Sequence, residues 1–164
     1  MYKIRVFGDP VLRRPTKLVT KFDENLKRII GRMIETMYYY DGVGLAAPQV
    51  GISQKFFVMD VGDGPLAVIN PEILETSNET ETAEEGCLSF PDIFVEIERS
   101  KRIRVKYQNV HGEFVEEELE GYPARVFQHE FDHLNGVLII DRISPAKRLL
   151  LRKKLMDITK AARR

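Results

Sequence analysis

The sequence predicts an α+β fold in which antiparallel sheets pack around a central helix carrying His129-Glu130-Phe131-Asp132-His133, with one helix nearer the N-terminus and one at the C-terminus. Three observations predict it. Apolar residues recur every three or four positions over 23–40, the period of an amphipathic helix. Strict alternation over 93–99 and 102–108, separated by short breaks, is the signature of antiparallel strands. The histidine pair lies between a proline start signal at Pro123 and a stop signal at Asn135-Gly136.

Residues 1–20 contain Gly8, Pro10 and Pro15 and only broken apolar runs, so they read as a wrapping loop with short turns. Asp23 is placed to cap the first helix, whose inner face would carry Leu26, Ile29, Ile30, Met33, Ile34 and Met37. Residues 41–44 end it, with glycines tolerating a left-handed cap. Residues 55–61 read as a strand, 62–65 as a turn, 66–70 as its return, and 73–76 as an extension of the pairing. Residues 85–91, punctuated by Gly86 and Pro91, read as lying outside the regular strands. Ile93, Val95 and Ile97 share one face of the next strand, and Ile103, Val105 and Tyr107 one face of the strand after it. A turn at 109–112 leads to an acidic strand over 114–119, whose Glu116-Glu117-Glu118 suits a solvated sheet edge. Gly121-Tyr122-Pro123 breaks the sheet and opens the histidine helix over 123–134, and Ser144-Pro145 starts a last helix reaching about residue 161.

The bulk properties exclude several classes. At 164 residues the chain is expected to form one domain, 1–164, with a core that needs no disulfides. Twenty-five basic side chains balance 25 acidic ones, which argues against a globally basic DNA binder. The single cysteine, Cys87, forbids an internal disulfide and suits a reducing compartment. Met1-Tyr2-Lys3-Ile4-Arg5 has no signal-peptide core, and no apolar run approaches the roughly 20 residues that span a bilayer. A cytoplasmic protein with no membrane partner is the expectation.

The chemistry concentrates in H-E-x-x-H. Positions i and i+4 share one face of a helix, so His129 and His133 can reach one cation, while Glu130 is offset toward a water rather than the ion. The chain has three histidines, and two of them form this pair, beside Val126, Phe127 and Leu134. A catalytic metal usually takes three protein ligands and keeps one position open. The extended motif with a third histidine is absent, because position 139 is Ile. Asp141 follows an apolar run that carries it away from the helix face, which leaves Cys87 as the better third ligand. On its own a lone cysteine is as readily a small buried hydrophobe.

Three segments, 42–49 (G-V-G-L-A-A-P-Q), 85–89 (E-G-C-L-S) and 128–134 (Q-H-E-F-D-H-L), together resemble peptide deformylase in order and spacing. The resemblance runs over most of the chain. It implies a metal-dependent hydrolase that removes the formyl group from the N-terminal formyl-methionine of new proteins and releases formate. It implies a cation held by Cys87, His129 and His133, usually Fe2+, with Zn2+, Ni2+ or Co2+ able to occupy the site. The ligand types alone point to zinc. The resemblance further implies Glu130 as general base and then general acid, with Gln49 and the Leu88 backbone N–H on the developing oxyanion. For substrate it implies Gly44 beside the peptide backbone, with Val43, Tyr122, Val126 and the stem of Arg125 around the methionine side chain. For Val126 an ordinary core role is the stronger expectation. One departure stands out: seven residues after the cysteine some members carry an arginine near the substrate backbone, and here that position is Phe94. Arg99, five residues further, suggests a structural role.

Two other classes compete. A zincin-type endopeptidase shares H-E-x-x-H but has no need of E-G-C-L-S. A non-enzymatic ribosome- or metal-binding module has no use for a base beside an open coordination position. Elsewhere, His111 reads as an exposed turn residue, Asp132 as helix surface or a hydrogen-bond acceptor behind the ligands, and Tyr38-Tyr39-Tyr40 as packing at the end of a helix. The last helix carries Lys147, Arg148, Arg152, Lys153, Lys154, Lys160, Arg163 and Arg164 against Asp157 alone, a basic stripe suited to ribosomal RNA phosphates.

Overall fold

The structure, a computed structural model, describes residues 1–163. In chain order it contains α1 (Glu24–Tyr39), β1 (Gly44–Ala46), β2 (Phe56–Met59), β3 (Leu66–Thr76), β4 (Thr80–Cys87), β5 (Phe90–Ser100), β6 (Arg102–Gln108), β7 (Phe114–Glu120), α2 (Tyr122–Leu134), α3 (Pro145–Leu150) and α4 (Arg152–Ala162). Five strands form an antiparallel sheet in the order β1-β2-β3-β6-β7, and β4 and β5 form a separate hairpin.

The sequence of β2 explains the layering. Its four residues are all buried, which in a strand means that both faces are covered. Phe56 and Val58 join Leu45 and Ile69 against α1, where they meet Leu26, Ile30, Met33 and Met37. Phe57 and Met59 join Val68, Ile103, Val105 and Tyr107 on the opposite face, against Ala124, Val126, Phe127 and Leu134 of α2. Burying side chains of this size contributes about 1.5–3 kcal/mol each. The far side of α2 is covered by the β4–β5 hairpin: Gln128 Nε2 donates to Ser100 O at 2.9 Å, and the Arg125 guanidinium donates to Ile97 O at 2.8 Å. A third apolar cluster joins Val11 and Leu12 to Phe90, Ile93, Val95 and Ile97 of the hairpin and to Leu155 and Ile158 of α4. The α2 helix is therefore central, as the sequence predicts.

The helix ends follow local chemistry. Asp23 caps α1 by accepting from Leu26 N at 3.0 Å. Pro123 stands in the first turn of α2. Gly136, at φ +70°, lets Val137 N turn back to Asp132 O at 2.9 Å, and the helix stops there.

Four expectations need correction. The left-handed residue after α1 is Asp41, at φ 56°, and not one of the glycines. Gly42 is small for another reason: a Cβ there would lie 3.0 Å from Leu88 Cδ1. Cys87 does not lie outside the strands but ends β4, which pairs with β5 along its whole length. That strand leaves no signal in the sequence because Thr80-Glu81-Thr82-Ala83-Glu84 has no apolar alternation; in β4 only Glu85 is buried. The last helix is broken at Leu151, whose N–H bonds Arg148 O at 3.1 Å in a tightened turn that divides α3 from α4. Tyr38, Tyr39 and Tyr40 do not pack in the core: all are exposed, and the Tyr38 hydroxyl donates to Asp60 at 2.6 Å.

Candidate metal centre

The sulfur of Cys87 and one ring nitrogen each of His129 and His133 lie within 4.8 Å of one another, the one such cluster among the described residues. Two elements deliver them. Neighbouring turns of α2 bring the two imidazoles edge to face, and the hairpin brings the thiol to meet them. Its register sets the aim. Gly86 pairs with Phe94 but Cys87 pairs with Phe90, so 91–93 form a bulge with Asp92 at φ 62°.

Geometry and field both fit a cation. Bond lengths of about 2.3 Å to sulfur and about 2.1 Å to imidazole nitrogen, at tetrahedral angles, put two such ligand atoms about 3.5 Å apart. Cys87 Sγ lies 3.3 Å from His133 Nε2. Glu85 holds His129 Nδ1 at 2.9 Å, which leaves Nε2 for a metal, the arrangement that most ligating histidines share. Burial works against charge on His129, but Glu130, Cys87 and Glu85 more than reverse it, so its pKa is raised well above the usual value. The field that holds a proton there would equally hold a metal ion. Burial, with His129 and Arg99 nearby, pushes His133 the other way, toward the neutral form that ligates.

Glu130 is buried and its Oε2 stands 3.9 Å from His129 Nε2. Burial raises its carboxyl to about 7, against the pull of His129. Its Oε1 has no hydrogen-bond partner among the described residues, a costly arrangement for a buried carboxyl. Room for it comes from Gly44, where a Cβ would lie 2.5 Å from Glu130 Oε2. Gln49, also buried, accepts from Ala46 N at 2.9 Å through Oε1 and turns Nε2 toward Cys87 Sγ, 3.5 Å away.

Behind the ligands lies a buried ionic network that sequence reasoning did not assemble. Arg99 grips Glu85 through two bonds of 2.8 and 2.9 Å and reaches Asp132 at 2.8 Å. Arg142 then holds both oxygens of Asp132, at 3.0 and 2.7 Å. Burial raises the Glu85 carboxyl, but the hydrogen bonds from Arg99 and His129 outweigh it and hold the group at about 2. Of the two sequence readings of Asp132, the structure selects the acceptor behind the ligands. Arg125 belongs to this network too: Nη1 donates to Glu85 at 2.6 Å, so its charge is spent on the scaffold while its stem faces the cavity.

One cavity of about 780 Å³ gathers Val43, Gly44, Gln49, Cys87, Leu88, Tyr122, Arg125, Val126, His129 and Glu130; His133 lies behind it. Val43 and Tyr122 stand exposed at its mouth, while Val126 is buried and also packs in the core. Phe94 lines it as well, 64% exposed, with its ring over Gly86. His111 lies on the surface and Asp141 is bound to Arg13, both away from the site.

Residues 1–149 match the family described as polypeptide deformylase. The chain belongs to the polypeptide deformylase family. A peptide deformylase of Thermotoga neapolitana is 85% identical over 163 residues, covering 99% of each chain. The crystal structure of peptide deformylase from Thermotoga maritima covers 88% of this chain and 99% of its own, at 85% identity and a TM-score of 0.87. A Plasmodium falciparum peptide deformylase, 39% identical, superposes with a TM-score of 0.94 over 98% of this chain and 97% of its own. The enzyme is thus a metal-dependent hydrolase that removes the formyl group from formylated nascent peptides, with a single metal ion at a Cys-His-His cluster. The endopeptidase and the non-enzymatic module both fall away. No helix among the described residues is long and apolar enough to cross a membrane.

Proposed function

We propose that Glu130 is the proton-transfer residue of this deformylase and that residues 1–164 act as one catalytic domain. The observation that carries the first point is the unpartnered Glu130 Oε1, buried at the floor of the cavity beside His129. A scaffold carboxylate has its oxygens satisfied, as those of Glu85 and Asp132 are; neither Glu130 oxygen is hydrogen-bonded among the described residues, which leaves them for a reactant. A divalent ion held by Cys87, His129 and His133 would supply Lewis acidity, which can bring the pKa of water from near 16 toward about 7. Glu130 takes a proton from the attacking water as a C–O bond forms at the formyl carbon. It then delivers that proton to the amine nitrogen as the C–N bond breaks, so that formate and a free N-terminus leave.

Gln49 Nε2 and the Leu88 backbone N–H are the proposed donors to the formyl oxygen as it gains charge; losing one such donor typically costs about 3 kcal/mol. Val43, Tyr122, Val126 and the Arg125 stem form the proposed methionine pocket, and the backbone at Gly44 the rail for the peptide. Phe94 makes the rim apolar where a cation stands in some relatives.

Fe2+ is the proposed native ion, on the family resemblance; thiolate and imidazole donors also accept Zn2+, Ni2+ or Co2+. Anaerobic purification followed by elemental analysis should find iron near one equivalent. Glu130→Gln should keep that metal and lose turnover of formyl-Met-Ala, and wild-type-like hydrolysis by this variant would refute the role.

A cytoplasmic location and ribosome contact are part of the same reading. Lys147, Arg148, Arg152, Lys153, Lys154, Lys160 and Arg163 are all exposed on α3 and α4, or just beyond; Arg164 lies outside the described residues. Truncation is a poor test, since Leu155 and Ile158 of α4 sit in the core. Lys153→Glu with Lys154→Glu should instead lower co-sedimentation with ribosomes and leave hydrolysis of free peptide intact.

A further inference from the structure

Ser89 is wholly buried, polar, and used by no step described so far. It follows Leu88 in the two-residue turn between β4 and β5. Its hydroxyl donates to Arg5 O at 2.7 Å and accepts from Gln49 Nε2 at 3.0 Å. Arg5 N in turn donates to Gln49 O at 2.7 Å, and Phe7 N to Ser89 O at 2.9 Å. Residues 5, 49 and 89 therefore close a ring of three hydrogen bonds that ties the N-terminal segment to two of the sequence motifs.

The ring carries a logical constraint. A serine hydroxyl has one hydrogen. Because that hydrogen goes to Arg5 O, Ser89 Oγ can meet Gln49 only as an acceptor. The Gln49 amide must then present its NH2 to Ser89 and its oxygen elsewhere, and Oε1 does accept from Ala46 N at 2.9 Å. The two bonds independently fix the same amide orientation. An NH2 group has two hydrogens. One is taken by Ser89, and the other is left pointing to the Cys87 side, where the sulfur lies 3.5 Å away. A flipped amide would aim an acceptor oxygen at the reaction and repel the charge that forms there.

We infer that Ser89 is a positioning residue: by accepting from Gln49 Nε2 while locked to Arg5 O, it keeps the Gln49 N–H aimed at the formyl oxygen. The inference rests on the role proposed above for Gln49. It makes the N-terminal segment part of the machinery, since Arg5 supplies the acceptor that sets the hydroxyl.

The test is a double-mutant cycle on metal-loaded enzyme with formyl-Met-Ala-Ser, reading kcat, KM and metal content. Ser89→Ala should lower kcat about tenfold, with KM within about twofold and metal unchanged, because orientation and not binding is lost. In a Gln49→Ala background the same change should cost less than about twofold, since there is no amide left to orient. A tenfold loss that persists in that background, or no loss in either, would overturn the inference. If Ser89→Ala does not fold, Ser89→Cys, which keeps the volume but accepts poorly, is read in the same cycle against the same thresholds. Should Gln49→Ala alone leave kcat unchanged, the proposed role of Gln49 is what fails, and Ser89 falls with it.

Discussion

The α2 helix has two flanks that treat polar atoms in opposite ways. On one, Asp132 accepts three bonds from Arg99 and Arg142, and Glu85 across from it accepts from Arg99, Arg125 and His129. On the other, Glu130 Oε1 and His133 Nδ1 are buried with no partner among the described residues. The two kinds of residue alternate within five positions of one helix. The contrast teaches that burial alone does not tell the two carboxylates apart: Asp132 and Glu130 are both buried. What separates them is whether the protein has already satisfied the oxygens. Changes on the saturated flank should therefore unfold the protein, and changes on the open flank should stop chemistry and leave the fold alone.

Glu130→Gln gives the sharpest form of that contrast. Turnover of formyl-Met-Ala should fall by about 10³-fold or more, in the range expected for a lost acid–base group. The urea unfolding midpoint of the metal-free protein should be unchanged or higher, because a neutral amide is easier to bury. A large loss of stability would erase the distinction between the flanks. Arg99→Met is the converse. It removes the buried cation shared by Glu85 and Asp132, leaving Glu85 to Arg125 and His129 and Asp132 to the half-exposed Arg142, and chemical denaturation should show a loss of about 3–5 kcal/mol; a loss under about 1 kcal/mol would mean that these remaining partners suffice. Gly44→Ala puts a methyl carbon 2.5 Å from Glu130 Oε2, so the carboxylate must shift. It should cost about 10²-fold in kcat while circular dichroism and metal content stay native. Arg142→Ala tests the weakest link. Its side chain is 46% exposed, so its pair with Asp132 should contribute about 1 kcal/mol or less.

Much of this arrangement was legible before the fold was known, and the gaps have physical causes. α1, β5, β6 and α2 announce themselves because each buries one face at a regular period, and a period survives in sequence. β4 is silent because a hairpin strand lying over a helix with its outer side in water buries almost none of its own side chains. The histidine pair was visible because both members sit in one local motif. The Glu85–Arg99–Asp132–Arg142 chain was not, because its members come from β4, β5, α2 and the turn before α3, and only tertiary structure makes them neighbours. Ser89 lies within E-G-C-L-S but is silent in sequence, since a small hydroxyl carries no periodic or charge signal. The sequence predicts Gly44 beside the peptide backbone; the group that approaches it in the structure is Glu130 of the protein itself.

That last contact has a consequence for drug resistance. A common escape from a cleft-filling inhibitor is a bulkier residue that narrows the wall beneath it. At position 44 the first added carbon would press on Glu130, the carboxylate proposed above to move the proton, so the same escape should cost turnover. An antibacterial scaffold seated against this stretch of backbone would press on ground that the enzyme cannot rebuild one substitution at a time.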